Sequence, residues 1–183
     1  MTGDDLVRLA KMRDLRRVSH GVYALLGSFA GPREETIAGW LRLVRDRLPW
    51  DRSPPPAVVS HASAASIHGF GTLVPVSPTF TVQRRRFQPS DKSVRLSSAR
   101  LDPIDWEWVA LPEGVQLPVT TAARTIVDLA FAGEDRGHVL DALAEALEGG
   151  SLDEAAFAEA VERLGRRPGR GTVTWLADAL PSR

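Results

Sequence analysis

The hydrophobic pattern changes period along the chain, and that change limits the fold more than any single motif. Helical spacing joins Ile37, Trp40, Leu41, Val44 and Leu48 across residues 34–48. Short β-prone runs then occupy residues 79–83, 94–98, 106–111 and 115–119, separated by Pro, Asp, Ser or Gly. Helical spacing returns afterwards, with Ala123, Ile126, Val127 and Ala130 in one stripe and Val139, Leu140, Leu143 and Leu147 in the next. Strands gathered in mid-chain, with helices before and after, predict an α+β fold with a helical C-terminal third.

Composition narrows the chemistry. None of the 183 residues is cysteine, so disulfides, thiolate metal sites and thiol nucleophiles are excluded. With 43% apolar and 25% charged residues and a mean hydropathy of −0.14, the chain reads as a folded globular protein. No stretch approaches a bilayer-spanning apolar run, and MTGDDLVRLAKMRDLRR lacks the apolar segment of a signal peptide. A cytoplasmic protein with no membrane partner is the expectation. His61 and His68 are seven apart and can share a helix face, but the HExxH spacing is absent, and neither metal nor cofactor is expected.

The N-terminal residues suggest a separate unit. Residues 4–12 carry Leu6, Leu9 and Ala10 on one side of a short helix, with Asp4 and Asp5 at its start. Two β-prone runs follow, residues 15–18 and 22–26, around a Ser19-His20-Gly21 turn. Helix then basic hairpin is the back half of a winged helix-turn-helix, so residues 1–30 read as a partial winged unit and 31–183 as an α+β domain. Beyond the proline run at 54–56, residues 57–60 read as a short buried strand. The small residues of HASAASIHGF suggest close approach of another element. Thr120 or Thr121 caps the next helix, Gly133 ends it, and Ser151-Leu152-Asp153-Glu154 has the form of a capping box. Residues 172–180 read as a last helix.

Net charge is zero, with 23 basic and 23 acidic residues, yet the signs are segregated. Residues 8–17 hold Arg8, Lys11, Arg13, Arg16 and Arg17 against Asp14; residues 84–100 hold Arg84, Arg85, Arg86, Lys92, Arg95 and Arg100 against Asp91. Residues 134–162 are acidic, with Glu145, Glu148 and Glu159 among nine carboxylates and Arg136 the one cation. A field of one sign steers a partner of the other; an ordinary solvated helix face is the competing account. Adjacent residues on a strand face opposite ways, so only one of Arg16 and Arg17 can meet a given phosphate row.

Enzyme signatures are weak. Ser60, His61 and Asp128 can be drawn as a triad, but the GxSxG elbow is missing, and no P-loop or GxGxxG occurs. Asp102, Asp105 and Glu107 resemble a nuclease's acids without the nearby lysine such a site uses.

Three stretches in order resemble the AbiEi-type antitoxins: LRRVSHGVYAL their wing, VVSHASAASIHGF their SHxSAAxxHG segment, and GVQLPVTTAARTIVDLA their GxPVTxxxRTxxDLA helix start. The resemblance covers essentially the whole chain. It implies the antitoxin half of a bacterial toxin–antitoxin pair, counteracting a nucleotidyltransferase-like toxin and repressing its own promoter. Arg8, Lys11, Arg13, Arg16, Arg17 and His20 match the DNA-contacting positions. His61, Ser63, His68 and Gly69 match the second motif and Thr120, Thr121, Arg124 and Asp128 the third, all as structural positions. Arg124 and Asp128, four apart on one helix, are expected to form a surface pair worth about 0.3–0.5 kcal/mol. Arg84, Arg85, Arg86, Glu145, Glu148 and Glu159 are candidate partner contacts. Family members carry about two further helices before the one preceding the wing. Their place lies upstream of Met1, the DNA-binding unit is degenerate, or another chain completes it. The alternatives are a stand-alone transcriptional regulator or a nuclease-like enzyme.

Overall fold

A computed structural model of the chain describes residues 3–12, 14–28, 31–43, 54–83, 93–167 and 171–180. The fold is α+β, built on a five-stranded mixed sheet.

Helix α1 (Gly3–Lys11) leads into an antiparallel hairpin of β1 (Leu15–Ser19) and β2 (Val22–Leu25). Gly21 takes the turn at φ +77°, a conformation that costs glycine little. The register slips between Arg17 and Ser19, as at a β-bulge. Val7, Met12, Leu25 and Leu26 of this unit stay exposed.

Helix α2 (Pro32–Leu43) follows; Val44 and Leu48, expected on its stripe, lie outside the described residues. Its buried positions are Thr36, Ala38, Gly39 and Trp40, while Ile37 and Leu41 are only partly covered. A Cβ on Gly39 would meet Val94 Cγ1 at 2.9 Å and Phe80 Cε2 at 3.1 Å. The helix therefore lies close on the sheet through small residues, with Trp40 as its one large anchor.

The sheet comprises β3 (Val58–Val59), β4 (Thr79–Val82), β5 (Arg95–Ser98), β6 (Trp106–Ala110) and β7 (Gln116–Thr120), in the order β5-β4-β3-β7-β6. Two-residue β3 is the central strand, antiparallel to β4 and parallel to β7. β4 and β5 are parallel, and β6 and β7 form an antiparallel hairpin closed by Gly114 at φ +75°. Trp40, Val59, Phe80, Val82, Leu117 and Val119 are buried as one cluster against this sheet.

The helices are α3 (His61–His68), α4 (Ala122–Ala132), α5 (Arg136–Glu148) and α6 (Glu154–Leu164). They pack a second cluster around Ile126, Leu129, Val139, Leu143 and Phe157. Helix α3 joins the two clusters, with Ala64 in the first and Ala65 in the second. Its small residues admit the close neighbour that the sequence suggests, and Gly69 ends it at φ +80°. Thr121 caps α4 and Gly133 terminates it.

Two expectations are corrected. The cap of α6 is Asp153, which accepts from the Ala156 N–H at 2.9 Å, so Ser151 does not close a capping box. The Ser151 and Leu152 N–H groups both donate to the Ala146 carbonyl, at 3.0 and 3.1 Å, so this stretch still closes α5 and α6 starts only after it. Residues 172–180 are not an α-helix. A two-stranded ladder, β8 (Arg166–Arg167) with β9 (Gly171–Thr172), precedes a 3-10 segment at Thr174–Ala179 that buries Leu176. No described helix is long and apolar enough to cross a membrane.

Candidate functional site

Four groups of sequence-expected residues have distinct places in the fold. In the N-terminal unit, Arg8, Lys11, Arg17 and His20 are exposed. Arg16 and Arg17 face opposite ways on β1, and their partners differ accordingly. Arg16 Nη2 donates to Glu34 Oε1 of α2 at 2.6 Å, and this bond raises the guanidinium pKa above its ordinary value. Arg17 stays on the solvent side, with Nη2 3.1 Å from His20 Nδ1. Arg13 lies outside the described residues, as do Arg84, Arg85 and Arg86.

The third motif carries the largest correction. Arg124 and Asp128 are no surface pair: their side chains are 2% and 1% exposed. Arg124 Nε donates to both Asp128 carboxylate oxygens at 3.0 Å, and Nη1 donates to Asp105 Oδ2 at 3.0 Å and to the Arg100 carbonyl at 3.1 Å. Arg163 Nη2 donates to Asp105 Oδ1 at 2.6 Å, while Arg167 Nη2 donates to Asp128 Oδ1. The hydrogen bond to Asp105 raises the Arg163 pKa, against the lowering effect of burial. Three arginines thus share two buried carboxylates and tie the 3-10 turn just before β6 (Pro103–Asp105), α4, the end of α6 and β8 together. Thr120 and Thr125 add a buried hydroxyl pair at 2.7 Å.

This network engages Asp105, one of the three acids a nuclease reading requires. Glu107 is exposed on β6, and no group of three His, Asp or Glu among the described residues is placed to hold a metal ion. Arg163 and Arg167 carry no motif in the sequence. The legible signal is that Arg124 and Asp128 are the only charges on a helix otherwise of Ala, Thr, Ile, Val, Leu and Phe, a composition that implies burial all round.

In the second motif, Ser63 Oγ accepts the Thr79 N–H at 3.0 Å. His68 Nε2 donates to the Thr120 carbonyl at 2.7 Å, and its ring stacks on Phe70. These two residues and Gly69 are structural in this fold. His61 differs. It is the one non-glycine among the described residues at positive φ, +56°. Its Nδ1 lies 2.8 Å from Ser60 Oγ, which accepts from Thr81 Oγ1 at 2.9 Å, so the serine hydroxyl bridges the histidine and the threonine. Burial lowers the His61 pKa, and although Asp128 opposes this, Arg167, Arg124 and Arg95 add to it. The ring lines a cleft of about 420 Å³.

On the acidic helices, Glu145 Oε2 accepts the Gly71 N–H at 2.7 Å and ties α5 to the chain after α3. Glu159 lies in the field of Arg163. Glu148, with Asp141, Glu154 and Asp178, lines a groove of about 800 Å³ whose apolar wall includes Leu140 and Leu147. Arg136, the groove's one cation, sits 4.4 Å over the Trp175 ring.

No family model matches the chain, and no curated protein sequence does. Among solved structures it is similar to the RV2827C protein of Mycobacterium tuberculosis, with a TM-score of 0.57 at 16% identity. The match covers 98% of this chain and 66% of that one, so this chain spans just under two thirds of that protein's length. The likeness is one of fold.

Proposed function

We propose that this protein is a binding protein with two working surfaces, the antitoxin half of an AbiEi-like toxin–antitoxin pair. It acts in the cytoplasm, by contact and not by catalysis. On this reading the N-terminal helix and hairpin hold the protein's own promoter, and the rest of the chain counteracts a nucleotidyltransferase-like toxin.

The observation that carries this reading is the sorting of cations on the helix and hairpin. Arg8, Lys11, Arg17 and His20 are all exposed, whereas the half-buried Arg16 is engaged by Glu34. Phosphate contacts require exposed cations of that kind, and a hairpin beside a helix presents them along a DNA backbone. The groove lined by Asp141, Glu148, Glu154 and Asp178 supplies the second surface. A nucleotidyltransferase must attract a triphosphate and so presents positive charge, which an acidic groove with an apolar wall complements.

The test is co-production with the protein encoded by the adjacent gene, with growth as the first readout and binding to the upstream duplex across salt concentrations as the second. Growth is restored by the wild-type chain and by Arg17→Glu, and is lost with Asp141→Lys/Glu148→Lys. Promoter affinity falls with Arg17→Glu, and its log–log salt slope flattens by about one. Arg16→Ala leaves the slope unchanged. Failure of the wild-type chain to restore growth overturns the antitoxin reading, and promoter binding without rescue favours a stand-alone regulator.

A further inference from the structure

The cleft at His61 has the features of a ligand site that neither surface above uses. It opens where central strand β3 turns directly into α3. Ser60 is the N-cap residue of α3, yet its side chain makes no capping hydrogen bond. Its hydroxyl is held between Thr81 and His61, leaving the first N–H groups of α3 without the usual side-chain acceptor. Such an end attracts an anion through its amide groups and the helix dipole.

The other lining groups are of matching kind. Arg95 starts β5 and is exposed, with no ion pair among the described residues. Nδ1 of His61 is fixed from behind by two fully buried hydroxyls; in the tautomer in which it accepts from Ser60, the Nε2–H is the donor left for a ligand. The backbone that presents this ring is itself strained, at φ +56°; such strain persists only where surrounding structure imposes it. Ser97 and Ser98 add hydroxyls from β5. Val74, Pro75 and Val76 form an apolar stretch, with Val76 wholly exposed.

We propose that this cleft binds a nucleoside phosphate, with the phosphoryl group on the start of α3, His61 Nε2–H and Arg95. Arginine and helix N-termini suit phosphate oxygens, and the cleft volume of about 420 Å³ is in the range of small-ligand pockets. Glu134, the one acid in the lining, repels the phosphate and accepts from a sugar hydroxyl or base amino group, while the Val74–Val76 stretch covers the apolar base face. The orientation is thereby set: phosphate toward β5 and α3, nucleoside toward the residue after α4.

The test is titration of the full chain with AMP, ATP, inorganic phosphate and a 5′-phosphorylated oligonucleotide, followed by nitrogen-15 NMR. Saturable shifts are expected at His61 Nε2 and the Ala62 and Ser63 amides with AMP and ATP. Arg95→Gln, at an exposed position, weakens affinity by about tenfold or more, the usual scale for a lost charge-assisted hydrogen bond. His61→Asn tolerates positive φ and retains an N–H donor, so it weakens binding less than His61→Ala. No saturable shift at these three groups overturns the proposal. Equal affinity for inorganic phosphate and AMP overturns the nucleoside part of it, and tighter binding of the oligonucleotide overturns assignment to a free nucleotide.

Discussion

At the scale of single residues, Arg124 shows how far burial changes the worth of a contact. An exposed Arg–Asp pair at this spacing contributes about 0.3–0.5 kcal/mol. Here Arg124 is enclosed with Asp128 and Asp105, and removing it leaves two buried carboxylates short of a donor each. Arg163 and Arg167 still reach one oxygen apiece, which moderates but does not cancel that penalty. Arg124→Ala is therefore expected to cost about 3–5 kcal/mol by urea unfolding, the range for breaking a buried pair from one side. A loss below about 1 kcal/mol would mean that the pair behaves as if solvated. The pairing was legible from the i,i+4 spacing, but its three outside partners were not. Asp105 is 19 residues from Arg124 and Arg167 is 39 from Asp128, and no local pattern announces contacts at such separations. His61 poses the reverse case. Its motif was legible, and its backbone conformation was not, because positive φ in a non-glycine is imposed by the surrounding fold and not by the residue itself.

At the scale of elements, sequence pattern located most helices and strands, since period and stop signals are local. It failed where two local signals competed. Ser151 and Asp153 are both acceptable cap residues, and Ser151 is followed three positions later by Glu154, which favours a capping box. The Ser151 and Leu152 amides are still engaged by the Ala146 carbonyl at the end of α5, which leaves the cap to Asp153, whose carboxylate takes the Ala156 N–H. Asp153→Ala should cost about 1 kcal/mol and Ser151→Ala less than about 0.5 kcal/mol. Thermal or urea unfolding of the two variants checks this, and the opposite ranking would return the cap to Ser151. Helix α2 teaches a related lesson. Its apolar stripe pointed to Ile37, Trp40 and Leu41 as the inward face; Trp40 is buried as expected, yet Ala38 and Gly39 are more deeply buried than Ile37 and Leu41. Contact with the sheet selects the narrow side of the helix, because only there can its backbone approach Phe80 and Val94.

For the whole molecule, segregation of charge was legible and sheet order was not. A central strand of two residues has almost no pattern of its own; its place is fixed by β4 on one side and β7 on the other. Just after that strand, α3 places Ala64 in the sheet cluster and Ala65 in the helical cluster. The two cores therefore share a short rigid element instead of a linker, and the buried ion network fastens the 3-10 turn before β6 to α4, α6 and β8 a second time. Neither core can open without exposing one side of α3, so the two should unfold together. Tryptophan placement allows a direct check. Trp40, Trp106 and Trp108 lie in edge-to-face contact at the sheet, while Trp175 packs against the helical cluster. In a Trp50→Phe/Trp175→Phe variant, which leaves only the three sheet tryptophans, their fluorescence and far-ultraviolet circular dichroism, dominated by the helices, should give coincident urea midpoints. Separate midpoints would show that the helical third is an independent unit and that α3 is a joint and not a shared core element.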